Sequence, residues 1–198
     1  MKKQTIIVVI VLVIFALIII GNIISNKPVT NSQVSSENEL PDKIQRISLA
    51  PEVEKELGDI MKFVMATPGE PTQVTKSKFW SIVQNNGVTT QNINDSRELI
   101  VGPAVVYIKI FYQDAIESLK VGQVVESAER KRYEDRLLKA SIMTQQQYEK
   151  NQKILNGIAS GLPVTTPQGD IVFTEDIINN IIQSIDEQYN RVNLLFNK

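Results

Sequence analysis

The sequence predicts a mainly α-helical protein: an N-terminal transmembrane helix, a flexible linker and a compact helical domain with one small β-hairpin. Three observations predict it. Residues 6–20 read IIVVIVLVIFALIII, fifteen apolar residues in a row, with no charge between Lys3 and Lys27. Residues 26–46 are polar, with Pro28 and Pro41 and few apolar side chains. Beyond them apolar residues recur at three- and four-residue steps, the period of a helix with one buried face. The chain therefore divides into a stub and anchor at 1–25, a linker at 26–47 and a helical domain at 48–198.

A bilayer core of roughly 30 Å needs about 20 mainly apolar residues, and residues 5–24 meet that need. A cleaved signal peptide is the alternative. Its apolar region is shorter, about 7–15 residues, and ends in a small-x-small site. The stretch Gly21-Asn22-Ile23-Ile24-Ser25 offers no such site, and a chain without cysteine has no lipidation point after cleavage. An uncleaved signal anchor is the favoured reading. Lys2 and Lys3 precede the span, whereas Lys27 and then Glu37, Glu39 and Asp42 follow it. By the positive-inside rule the N-terminus stays in the cytoplasm and the domain lies outside. The wealth of Ile, Asn, Lys and Gln suggests a bacterium, so the expected location is a bacterial inner membrane, crossed once, with a periplasmic or otherwise extracytoplasmic domain.

Charge and composition narrow the function classes. All 22 acidic residues and 19 of the 21 basic ones follow the span, a net charge of −3 for that part. A nucleic-acid partner would need a concentrated basic face, so none is expected. The absence of cysteine removes disulfides and thiol chemistry, and the absence of histidine removes the commonest general base and metal ligand.

The linker has the composition of a coil, and about 20 such residues span roughly 25 Å. The first helix is expected from Ser48 to Ala66, with Ser48 as N-cap and Pro51 in the first turn. Its stripe is Val53, Leu57, Ile60, Met61 and Val64. Thr67-Pro68-Gly69-Glu70-Pro71 ends it. A second helix is expected from an N-cap at Thr75 to Asn86, with Gly87 beyond its end. Asp95 and Glu98, in capping-box spacing, open a third that runs to about Lys120. Its interior LIVGPAVVYIKIFY is ambiguous: β-branched and aromatic residues favour a strand at 104–112, and Gly102-Pro103 should kink a helix. A kinked, buried helix is favoured. A charged helix is expected at 124–142. Thr144 and Gln147 form another capping box, opening a helix that ends at Gly157 or Gly161. Residues 162–173 read as a hairpin about Pro167-Gln168-Gly169. Thr174 then caps a last helix, with Glu175 and Asp176 in its first turn.

Ile178, Ile181, Ile185, Tyr189, Val192 and Phe196 form a stripe along that last helix and are the candidate partner-binding residues. The alternative is that the stripe packs on its own domain. The run ERKRYEDR at 129–136 mixes both signs and reads as a solvated face. Phe79, Trp80, Tyr107, Phe111 and Tyr112 read as core before they read as a ligand groove. Glu52, Glu54, Glu56 and Asp59 cluster mainly opposite the apolar stripe of the first helix, without the unequal burial that paired catalytic carboxylates need. Asp170, Glu175 and Asp176 lack calcium-loop spacing. No cofactor, metal or enzymatic activity is expected.

Residues 133–155, YEDRLLKASIMTQQQYEKNQKIL, resemble the paired-helix module called SHOCT: a leucine-bearing helix, a tight turn ending in Thr, then an aromatic-Glu segment with Lys and Leu. The family's turn carries a glycine before its Ile-Thr pair, where this chain has Ser141, and Met143 separates Ile142 from Thr144. The lysine is also displaced, to Lys153. The resemblance implies a helical hairpin and no chemistry.

The expected role is that of a membrane-held interaction domain. It would serve as an accessory or structural subunit of an envelope assembly such as a secretion apparatus, with other envelope proteins as partners and self-association left open. A ligand-binding module or an inhibitor of an envelope enzyme is the alternative.

Overall fold

The computed structural model describes residues 49–166 and 169–197, and these are mainly helical. In chain order they form α1 (Pro51–Ala66), α2 (Gln73–Asn85), α3 (Thr90–Ser96), a π-helical turn (Arg97–Val101), α4 (Gly102–Val121), α5 (Ala128–Lys139) and α6 (Gln145–Ala159). The hairpin β1 (Val164–Thr166) and β2 (Gly169–Ile171) follows, then α7 (Glu175–Phe196). No helix among the described residues is long and apolar enough to cross a membrane. The anchor expected at 5–24 and the linker after it lie outside the described residues.

Helix α1 begins at Pro51 with Ala50 at the N-cap, so the start expected at Ser48 is corrected. Pro51 stands at the first helical position, where its missing N–H has no intrahelical partner to lose. The predicted stripe points inward: Leu57, Ile60, Met61 and Val64 are buried and Val53 packs against them. The far end of α1 carries no basic residue of its own. Arg191 of α7 supplies the cation, its Nη2 donating to the Met65 carbonyl at 2.8 Å.

Helix α2 starts one turn earlier than expected. Thr72, not Thr75, is the N-cap, and the Thr75 N–H donates to the Thr72 hydroxyl at 3.2 Å. At its other end Gly87 takes the left-handed conformation, φ 73°, beyond Asn86.

The ambiguous apolar run is helical. Buried Ala104, Val105, Tyr107, Ile108 and Phe111 follow helical spacing, so burial on several sides overrides the strand preference of β-branched side chains. The helix opens earlier than expected. Thr89 and Asn92 form the capping box: the Thr89 N–H donates to Asn92 Oδ1 at 2.9 Å and the Asn92 N–H to Thr89 Oγ1 at 3.1 Å. Asp95 sits inside α3 and accepts from the Gln91 amide one turn back. At Gly102-Pro103, where the sequence predicts a kink, the chain passes from the π-helical turn into α4. Pro103 has no N–H to give and its ring crowds the preceding turn, so the chain widens there before α4 begins. The site is tight: a Cβ on Gly102 would meet the Arg97 carbonyl at 3.2 Å.

Helix α5 is shorter than the expected 124–142. Two side chains of α4 take the backbone N–H groups just before it. Ser118 Oγ accepts from Val125 at 2.8 Å and Asp114 Oδ2 from Ser127 at 2.9 Å. Residues 125–127 are thereby held out of the helix, and Ser127 becomes its N-cap. Helix α6 opens on the expected Thr144–Gln147 capping box. Between α5 and α6, Ser141 is left-handed at φ 55°, in the position where the paired-helix module has its glycine. The hairpin is antiparallel with Val164 opposite Ile171. It lies on α6 at Gly157, where a Cβ would come within 2.7 Å of Val164 Cγ2.

Helix α7 is capped by Thr174, as expected. It packs on α1, α2 and α4. Helices α4 and α7 run antiparallel, clasped by Lys109–Asp186 at 2.9 Å and Lys120–Glu175 at 3.4 Å. Phe79 of α2 packs on Phe196 at 5.7 Å between ring centroids. The other flank of α4 carries α5 and α6. Helix α4 is thus common to two halves, α1–α2–α7 and α5–α6.

Candidate functional site

The stripe singled out on α7 lies inside the domain. Ile178, Ile181, Ile185, Val192 and Phe196 are buried and Tyr189 is half-buried. Helices α1, α2 and α4 cover them. Of the aromatic residues, Phe79, Trp80, Tyr107 and Phe111 are core and Tyr112 packs against it. Glu52, Glu56 and Asp59 are exposed, but Glu54 is buried, and its Oε1 makes no hydrogen bond. Asp170 accepts from the Thr165 hydroxyl at 2.8 Å. Among the described residues no three acidic side chains stand together in a way that could hold a metal ion.

The charged run on α5 holds what sequence reasoning missed. Arg130 and Glu134 of ERKRYEDR, read as a solvated face, are buried. With Leu137 they recur at i, i+4 and i+7, so one side of α5 faces inward. The remaining face matches the expectation: Glu129, Lys131, Arg132 and Asp135 are exposed, and Arg132 and Arg136 flank the Tyr133 ring at 5.6 and 5.5 Å. The available signal was Asp114, an acid within the most apolar of the described helices, which asks for a buried cation from elsewhere.

Arg130 is the centre of this cluster and is 0 % exposed. Its Nη1 donates to the Val125 carbonyl at 3.0 Å and lies 3.3 Å from Asp114 Oδ2. Its Nε lies 3.5 Å from Glu134 Oε1 and its Nη2 3.6 Å from Glu126 Oε1. Neither of these two nitrogens makes a hydrogen bond. Asp114 Oδ2 also accepts from both the N–H and the hydroxyl of Ser127, at 2.9 and 3.0 Å. Glu134 Oε1 accepts from the Tyr107 hydroxyl at 3.2 Å and from Gln152 at 3.5 Å, and Asn151 of α6 donates to the Tyr107 oxygen at 3.0 Å. Three helices meet on these groups.

Burial pushes the Glu134 carboxyl above the ordinary glutamate value, with Arg130 and the Tyr107 hydroxyl pulling the other way. Burial also raises Tyr107, which stays a protonated donor. The Ser118 hydroxyl donates to the Asp114 carbonyl at 2.7 Å while it accepts from Val125, so both its roles are engaged within the backbone. The arrangement can lock helices together and can hold a proton.

No family model, curated protein or solved structure matches the chain.

Proposed function

We propose that the protein is a membrane-anchored, non-enzymatic interaction domain on the extracytoplasmic face of a bacterial inner membrane, an accessory or structural subunit of an envelope assembly such as a secretion apparatus. The observation that carries this reading is the uncharged apolar run at 6–20, preceded by Lys2 and Lys3 and followed by a polar tether. A tether of about 20 coil residues lets the domain stand roughly 25 Å off the bilayer. The buried ionic cluster of the domain lies at the α4–α5–α6 junction and bridges those helices.

In the folded domain a partner reaches the α7 stripe only if α7 is displaced. Exposed apolar side chains lie elsewhere: Phe63 and Val74 on α1 and α2, and Leu162 and Val172 beside the hairpin. Photo-crosslinking residues placed singly at these four positions and at Ile181, in cells expressing the full chain, test the reading. Adducts of discrete mass from exposed positions, absent from Ile181, support an assembly subunit. Absence of protein adducts from every exposed position overturns it.

A further inference from the structure

We propose that Glu134 is a proton-binding site that couples the pH of the medium to the packing of α5 and α6 on α4. The Asp114 and Glu134 side chains are 9 % and 2 % exposed and share a single fully buried guanidinium. One cation balances one of the two buried carboxylates, and the second is an excess negative charge in a medium of low dielectric. Glu126, at 43 % exposure, adds a further negative charge that solvent partly screens.

The hydrogen bonds decide which carboxylate takes the proton. Asp114 Oδ2 has a backbone N–H at 2.9 Å, a hydroxyl at 3.0 Å and the guanidinium at 3.3 Å. Glu134 Oε1 accepts two hydrogen bonds, at 3.2 and 3.5 Å, and has the Arg130 Nε at 3.5 Å without a hydrogen bond. Longer donors stabilise an ionised carboxylate less, so the proton-binding role falls to Glu134. Both hydrogen bonds and the guanidinium contact lie on Oε1, so a proton on the other oxygen displaces none of them. The charged and titratable groups around it are Arg130 and Asp135 on α5, Glu126 just before α5, and Tyr107 and Asp114 on α4. Helix α6 contributes the neutral amides of Asn151 and Gln152.

The raised value of Glu134 gives the direction of the coupling. A group raised in the folded state contributes stability that is full below its unfolded value and is lost as pH rises through the folded value. For Glu134 that window opens at the ordinary value of 4.5 and extends upward. The junction therefore tightens when the medium turns from neutral to mildly acidic.

Carbon-13 NMR of the full chain in detergent, labelled at the glutamate side-chain carboxyls, tests this. The expected result is one glutamate that titrates above all the others, lost in Glu134→Gln and shifted in Tyr107→Phe. Either variant assigns it, so failure of one to fold leaves the test intact. Between about pH 7.5 and 5, the thermal midpoint of the unsubstituted protein should rise relative to that of Glu134→Gln. Glu134 titrating with the other glutamates, or below them, overturns the proposal.

Discussion

Replacing Arg130 with methionine should cost about 3–5 kcal/mol of stability, the usual loss when one partner of a buried ion pair is removed. Methionine keeps an unbranched apolar stem of similar reach, so packing changes least and the charge is what goes. What remains is Asp114 and Glu134, both buried, with no cation between them. The Val125 carbonyl also loses its donor. Against a total stability of about 5–15 kcal/mol, this is a large fraction, and for a domain of this size it corresponds to a fall in melting temperature of roughly 6–20 °C. Circular dichroism of the full chain in detergent, melted thermally and in urea, reads the effect. Adding Asp114→Asn and Glu134→Gln to Arg130→Met should restore at least half of the loss, because no uncompensated charge is then buried. A loss below about 1 kcal/mol, or no rescue by the two neutral partners, would refute the view that this cluster locks α5 and α6 onto α4.

Two further substitutions test the local geometry. Gly157→Ala gains up to about 1 kcal/mol of helix propensity but drives a methyl group into Val164 Cγ2 at 2.7 Å. The net result should be a loss of about 1–2 kcal/mol. In a Val164→Ala background the same change should be neutral or stabilising, and equal effects in both backgrounds would remove the steric explanation. Ser141→Gly should stabilise by up to about 1 kcal/mol in urea melts, since Ser141 holds φ 55°, and a loss would mean that its side chain matters more than its backbone.

Local signals were read well where the partners lie within one turn. The Thr144–Gln147 box, the Thr174 cap and the hairpin at 164–171 each depend on a few neighbouring residues, and each is present. Starts differ where a second capping residue stands upstream, one turn for Thr72 before Thr75 and nearly two turns for Thr89 before Asp95. The shortening of α5 could not be read locally. It depends on Asp114 and Ser118 of α4, which take N–H groups seven to thirteen residues further on. The same distance hides the cluster. Arg130 and Glu134 look like any i, i+4 pair, and only the position of α4 makes them internal. For α7, periodicity identifies an apolar face but not what covers it, and here the cover is α1, α2 and α4.

The central claim, a domain held outside the cytoplasm by residues 5–24, is tested most directly by labelling, because the chain contains no cysteine of its own. Val74 is 79 % exposed and accepts a single Val74→Cys substitution without disturbing the core. In intact spheroplasts a membrane-impermeant maleimide should label Val74→Cys as fully as it does after lysis, while Lys3→Cys should react only after lysis. Val74→Cys protected until the membrane is broken would contradict the account.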